Sequence, residues 1–286
     1  IEYQGKFGND TRGDLFGFPS NIYSAIEFDG CINLMKGAIE LADAVSTVSP
    51  TYAEEIKNPF FAHGLENIIR RNEGKLCGIL NGIDTESYNP ASDKTLFANY
   101  SKNDLSGKAV CKAELQKMLS LPVRADVPVV AMISRLVSHK GLDLVKAVIE
   151  QFLTEDVQFV ILGKGDAGYE SYFSGLARNY QGKCAAVIAF NPDLSRKIYA
   201  GSDIFLMPSK TEPCGLSQMI ASRYGAVAVV RETGGLNDSI KAYTEEAGNG
   251  FTFRDYNAHD MLYVLREAVR FYRDKDTWAK LVSRAM

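Results

Sequence analysis

Glu212, Cys214 and Gly215 lie within four positions of one another in the stretch Ser209-Lys-Thr-Glu-Pro-Cys-Gly-Leu-Ser-Gln218. A carboxylate, a small thiol and a glycine at this spacing suit a backbone that comes close to a polar ligand. The stretch follows the apolar run Ile204-Phe-Leu-Met207, closed by Pro208, and precedes the apolar-periodic segment from Leu216 to Tyr224. It therefore reads as a strand-to-helix turn. The first N–H groups of a helix have no internal partner and carry partial positive charge. Leu216 and Ser217 at that helix start suit a phosphate, while Glu212 can accept from hydroxyls. An ordinary strand–loop–helix connection would have the same pattern. No histidine neighbours Cys214 in sequence, which disfavours a thiol nucleophile.

Two cations occupy an equivalent place upstream. Arg135 and Lys140 stand five positions apart in Arg135-Leu-Val-Ser-His-Lys-Gly141, after the apolar run from Val127 to Ser134. Arginine offers a planar fork and lysine a point charge, a pairing that suits a diphosphate. A pair of solvated surface charges is the plainer alternative. A third turn, Arg231-Glu-Thr-Gly-Gly-Leu236, carries Thr233, a helix cap or a phosphate donor, and the backbone-permissive Gly234 and Gly235. A fourth, Gly163-Lys-Gly-Asp166, has only part of a dinucleotide fingerprint.

The elements that must carry these turns follow from periodicity. From Val127 onward, short apolar runs alternate with amphipathic stretches: 127–134 then 142–152, 157–162 then 169–180, 185–190 then 194–200, 204–207 then 216–224, and 226–230 then a helix from Leu236. This alternation predicts a parallel sheet covered on both faces, with ligands outside the carboxyl ends of its strands. Residues 1–122 are less regular, with helices over 32–41 and 51–56, strands over 44–48 and 76–80, and a helix over 108–119. Pro122 and Pro128 flank the expected hinge, so residues 1–122 and 123–286 are read as two domains. Phe7, Phe16, Phe18 and Tyr23 in the glycine-rich start are read as loop anchors, with stacking on sugar faces the alternative.

Composition narrows the class. The 286 residues are 46% hydrophobic, enough for a buried core, and carry a formal charge of −3, which argues against a nucleic-acid partner. No apolar run reaches the length of a membrane span. Five scattered cysteines without a CxxC pair suggest reduced thiols in a cytoplasm-like compartment. Three histidines show no metal-ligand spacing, so no metal is expected.

Together RLVSHKGLDL, LGKGD, PSKTEPCGLSQ and RETGGL, with Glu2-Tyr-Gln-Gly-Lys-Phe7, the stretch from Ala42 to Tyr52 and Leu80-Asn-Gly-Ile-Asp84, resemble bacterial glycogen synthases and plant starch synthases along nearly the whole chain. The resemblance implies an α/β protein of the GT-B type, two Rossmann-like domains, the first only partly present. It implies transfer of glucose from ADP-glucose to the non-reducing end of an α-1,4-glucan, with retention and without a metal or other cofactor. By the same resemblance Arg135 and Lys140 would bind the diphosphate, and Glu212 would stand beside the donor glucose. Cys214 and Gly215 would line the sugar pocket, and Leu216 and Ser217 would meet the distal phosphate. Asn81 would face the sugar from the first domain, and Phe190 would take the place of an adenine-stacking tyrosine. Thr233, Gly234 and Gly235 would lie near the phosphates.

Relatives carry an N-terminal Lys-Thr-Gly-Gly-Leu loop and a His-Asn pair ahead of the segment matching Glu2. The chain is thus expected to be truncated, and to have little activity by itself because water would reach the donor. ADP-glucose or UDP-glucose, glycogen or starch, cytoplasm or plastid stroma, and oligomeric state are open at this level. The alternatives are another retaining GT-B enzyme, of the sucrose or glycolipid synthase type, and a non-catalytic glucan-binding homologue. Ile220 stands where sucrose and glycolipid enzymes usually have a second glutamate. A dinucleotide-dependent oxidoreductase is disfavoured by the incomplete glycine fingerprint.

Overall fold

A computed structural model describes residues 1, 3–14, 16, 17 and 19–286. Glu2 and Phe18, both named from the sequence, lie outside the described residues. The chain divides into two compact units, Ile1–Asn81 and Gly82–Met286.

In the first unit, strands Lys6–Gly8 and Glu27–Phe28 pair antiparallel with Cys31–Asn33. Val45–Thr47 and Leu76–Gly78 form a parallel pair. The helix expected from Ile32 begins at Leu34, because residues 31–33 are claimed by the sheet and Asn33 caps the helix through the Lys36 N–H. Ile39, Tyr52, Ile56, Leu65, Ile68 and Ile69 form the core of this unit. Phe7 packs edge-on against Phe16 and the Arg12 guanidinium covers Tyr23, so these aromatics have partners within the unit.

The second unit is one six-stranded parallel sheet. Its strands are β1 (Val129–Ile133), β2 (Gln158–Gly163), β3 (Cys184–Ile188), β4 (Ile204–Met207), β5 (Val227–Arg231) and β6 (Gly250–Phe253). They lie in the order β6-β5-β4-β1-β2-β3. Strands β1 and β4 are both buried along most of their length because helices cover both faces, which is why they read as continuous apolar runs. The covering helices are α1 (Ser106–Met118), α2 (Leu142–Phe152), α3 (Ala167–Asn179), α4 (Pro192–Gly201), α5 (Ser217–Arg223), α6 (Gly234–Ser239), α7 (Ala258–Arg273) and α8 (Lys275–Ala285). One face packs Phe152, Phe159, Leu265 and Leu281. The other packs Leu115, Phe205, Ile220 and Tyr224.

The division falls after Asn81 and not at 122. Residues 82–122 join the second unit because their polar groups find partners there. Tyr100 Oη donates to Tyr224 O at 2.7 Å. Asp93 accepts from Arg196 Nη1 at 3.0 Å and from the Tyr224 hydroxyl. From α1, the buried Lys108 Nζ donates to the carbonyls of Ala200, Ser202 and Tyr224 at 2.8–3.0 Å. Lys112 Nζ lies 2.8 Å from Asp203 Oδ2 and donates to Val127 O at 2.7 Å. Buried cations persist only with such complete partnering.

Burial pushes the Lys108 ammonium down from 10.5 to about 8. Below pH 8 the residue is charged in folded and unfolded chains alike. Between about 8 and 10.5 the unfolded chain binds the extra proton, so stability contributed at this position rises with pH. The unfolding free energy of the wild type minus that of Lys108→Met should therefore climb from pH 8 to pH 10 in denaturant titrations. A flat difference would contradict the burial.

Candidate active site

The strand order reverses between β1 and β4, where neighbouring crossovers leave in opposite directions and open a crevice at the carboxyl ends. The loop after β1 carries Arg135 and Lys140, and the loop after β4 carries Glu212. The fold brings two of them into contact. Lys140 Nζ lies 2.6 Å from Glu212 Oε2, with both side chains largely withdrawn from solvent. Ser209 Oγ donates to the same carboxylate oxygen at 3.0 Å. An ion pair with this little solvent screening holds its partners in register, although desolvation offsets much of its attraction.

Glycines allow the two loops to close on one another. Gly141 has φ +74°, and a Cβ there would lie 2.0 Å from Pro208 O. Lys210 N–H donates to His139 O at 2.9 Å, a direct tie between the loops. Behind Glu212 runs the turn after β5. A Cβ on Gly234, at φ +44°, would lie 2.0 Å from Glu212 O, and one on Gly235 would lie 2.1 Å from Cys214 O. Gly235 N–H donates to Glu212 O at 3.1 Å. The two glycines are thus required by close backbone approach, which places Thr233, fully buried, directly behind the carboxylate loop. Thr233 makes no side-chain capping bond to α6.

Cys214 is buried, and its thiol faces Gly215 O at 3.4 Å. Gly215 takes φ +68°, which leads the chain into α5. Leu216 is half exposed, and the Ser217 hydroxyl meets the buried Tyr199 phenol. Arg135 is exposed beside the loop end of β1, and its guanidinium forms no ion pair among the described residues. Phe190 is 89% exposed just beyond β3, two strands from β1, or about 10 Å across the sheet. Asn81 is the last residue of the first unit, and the other candidates belong to the second. The glycines of Gly163-Lys-Gly165 serve packing: Cβ atoms there would meet Ser134 O at 2.0 Å and Leu136 O at 2.4 Å.

Sequence reading missed three groups that shape this crevice. Ser209 is the hydroxyl donor to Glu212. Arg231 Nη1 donates to Lys210 O at 2.9 Å and steadies the carboxylate loop. Gln218, fully buried, bonds the carbonyls on either side of the Cys214–Gly215 peptide region. Their only advance signal was adjacency to the motif. Among the described residues, no cluster of histidine, cysteine, aspartate or glutamate could hold a metal, and no helix is long and apolar enough to cross a membrane.

Residues 116–279 match the family model for glycosyl transferases group 1, and residues 1–71 match that for the starch synthase catalytic domain. The chain is 49% identical to a glycogen synthase of Clostridium novyi and 46% identical to one of Geobacillus stearothermophilus, in each case over 100% of the chain and 60% of the relative. The chain thus spans about 60% of the length of the curated relatives it matches. The catalytic domain of starch synthase IV from Arabidopsis thaliana, bound to ADP and acarbose, superposes with a TM-score of 0.92 at 36% identity, covering 100% of the chain and 61% of that structure. A sucrose-phosphate synthase from Thermosynechococcus elongatus shares the fold, with a TM-score of 0.60 at 18% identity over 92% of the chain and 59% of that structure.

Replacing Gly235 by alanine forces its new methyl group into the Cys214 carbonyl. Gly235→Ala should destabilise the protein by about 2–3 kcal/mol in denaturant unfolding. A loss below about 0.5 kcal/mol would show that the turn does not press on the carboxylate loop.

Proposed function

This chain belongs to the group 1 glycosyl transferases, and from its similarity to glycogen and starch synthases we propose that the protein transfers glucose from ADP-glucose to the non-reducing end of an α-1,4-glucan with retention. The observation that carries the proposal is the meeting of Lys140 and Glu212 where the strand order reverses. Positive charge and a carboxylate at one crevice match what glycosyl transfer from a nucleotide diphosphate needs. The leaving diphosphate gains negative charge, and the sugar gains positive charge.

In this mechanism Lys140 and the exposed Arg135 stabilise the diphosphate as its bond to C1 of glucose breaks. The acceptor hydroxyl oxygen bonds to C1 from the same face. Its proton passes to the departing diphosphate oxygen, and ADP leaves. Glu212 accepts hydrogen bonds from glucose hydroxyls and favours the oxocarbenium-like state without forming a covalent bond. The two cations supply the charge for the leaving group, so the proposal assigns no metal to this step. Cys214 and Gly215 would line the sugar pocket, Leu216 and Ser217 would receive the distal phosphate, and Thr233, Gly234 and Gly235 would lie near the phosphates. Phe190 would stack on the base.

The ADP found in the Arabidopsis starch synthase structure supports an adenine nucleotide. Ile220, where sucrose and glycolipid enzymes usually have a second glutamate, is buried in the core, which disfavours that type of chemistry.

Two variants test the roles. Glu212→Ala should lower kcat for glucan elongation by about a hundredfold or more, with a much smaller change in ADP affinity. Lys140→Ala should weaken ADP binding by calorimetry, and an unchanged affinity would overturn the diphosphate assignment. In a parallel titration ADP-glucose should be used in preference to UDP-glucose. The reverse preference would overturn the choice of donor.

A further inference from the structure

Resting on the reading above, we propose that Gln218 is a positioning residue for the catalytic loop that presents Glu212 and Cys214. Gln218 is fully buried on α5. Its Nε2, which carries two hydrogens, lies 2.9 Å from Gly215 O, 3.1 Å from Cys214 O and 3.0 Å from Ser239 Oγ, so one hydrogen is shared between two of these acceptors. Ser239 Oγ in turn donates to Gly235 O at 2.6 Å, and Gly235 N–H donates to Glu212 O and Pro213 O at 3.1 and 3.2 Å. One amide therefore holds residues 214 and 215 to α5 by a first, direct route, and by a second route, through Ser239, reaches Gly235 in the turn that bonds Glu212 O.

The orientation of this amide is fixed by its surroundings. Rotating it would aim Oε1 at two carbonyl oxygens. In the orientation that satisfies those carbonyls, Oε1 is buried and accepts no hydrogen bond among the described residues. A buried acceptor without a donor is costly. A side chain selected only to fill this space would be apolar. Here the donor end holds the loop, and the acceptor end bears the cost. Gly215 belongs to the same arrangement, since a Cβ there would lie 2.5 Å from Gln218 Oε1. The amide and the bare backbone occupy one another's van der Waals space.

Catalytic groups held about an ångström out of place lose rate while ligand binding persists. Gln218 does not touch the carboxylate, which Lys140 and Ser209 hold. Its effect is on the backbone beneath. Gln218→Met keeps the volume and removes the donor. It should lower kcat about tenfold or more while ADP affinity stays within about twofold. Ser239→Ala breaks only the second route, and should lower kcat by a smaller factor. The double variant should be no slower than Gln218→Met alone, because Ser239 acts through the same amide.

The experiment is steady-state kinetics with calorimetric ADP binding on the three variants and on Glu212→Ala. Loss of kcat and ADP affinity by equal factors, or multiplicative effects of the two substitutions, would overturn the proposal. So would wild-type kcat in both single variants while Glu212→Ala is inactive. If Gln218→Met does not fold, Ser239→Ala carries the test by its own kcat-to-affinity split. Full turnover in Glu212→Ala would instead overturn the reading on which the proposal rests.

Discussion

The contact between Lys140 and Glu212 depends on nearly every feature of the second unit. It joins the loop after β1 to the loop after β4, and those loops are neighbours only because the sheet reverses its order there. It also requires bare backbone at Gly141, Gly234 and Gly235, where side chains would collide with carbonyl oxygens. A lysine and a carboxylate this close, with little water around them, cost desolvation energy that their attraction only partly offsets. Such a pair is better explained by what it positions than by the stability it adds. It keeps a cation and an acid fixed at the carboxyl ends of the strands, as the proposed glucosyl transfer would require.

Support for these strand ends extends far behind them. Ser209, Arg231 and Gln218 hold the carboxylate loop from three directions. At the opposite ends of the strands, Lys108 and Lys112 secure α1 with carbonyl and carboxylate partners. The segment 82–122 is thereby part of the scaffold that keeps β1 and β4 in register. Precise sites rest on elements whose own positions are over-determined.

Much of the second unit was legible in the sequence because a doubly covered parallel strand must be apolar throughout. The runs 204–207 and 157–162 appear as strands for that reason, and α2 begins at Leu142 and ends at Phe152 as its periodicity indicated. The glycines after β5 were legible as sites of close approach. The boundary at 122 was not legible. Lys108 and Lys112 look like surface charges on a polar helix, and only the three-dimensional arrangement reveals the carbonyls that solvate them. The ion pair was half legible: two cations and a carboxylate at strand ends were visible, but their meeting depends on strand order, which no local pattern encodes. Gln218 and Ser209 gave no signal of their own, because a neutral side chain inside a turn motif looks alike whether it bonds backbone or water.

A crystal structure of the protein with ADP bound tests the central claim most directly. The account places the diphosphate at the carboxyl ends of β1 and β4, within hydrogen-bond distance of Lys140 Nζ and reached by the Arg135 guanidinium. A diphosphate seated elsewhere on the second unit, with Lys140 still committed to Glu212 and remote from the phosphates, would contradict it.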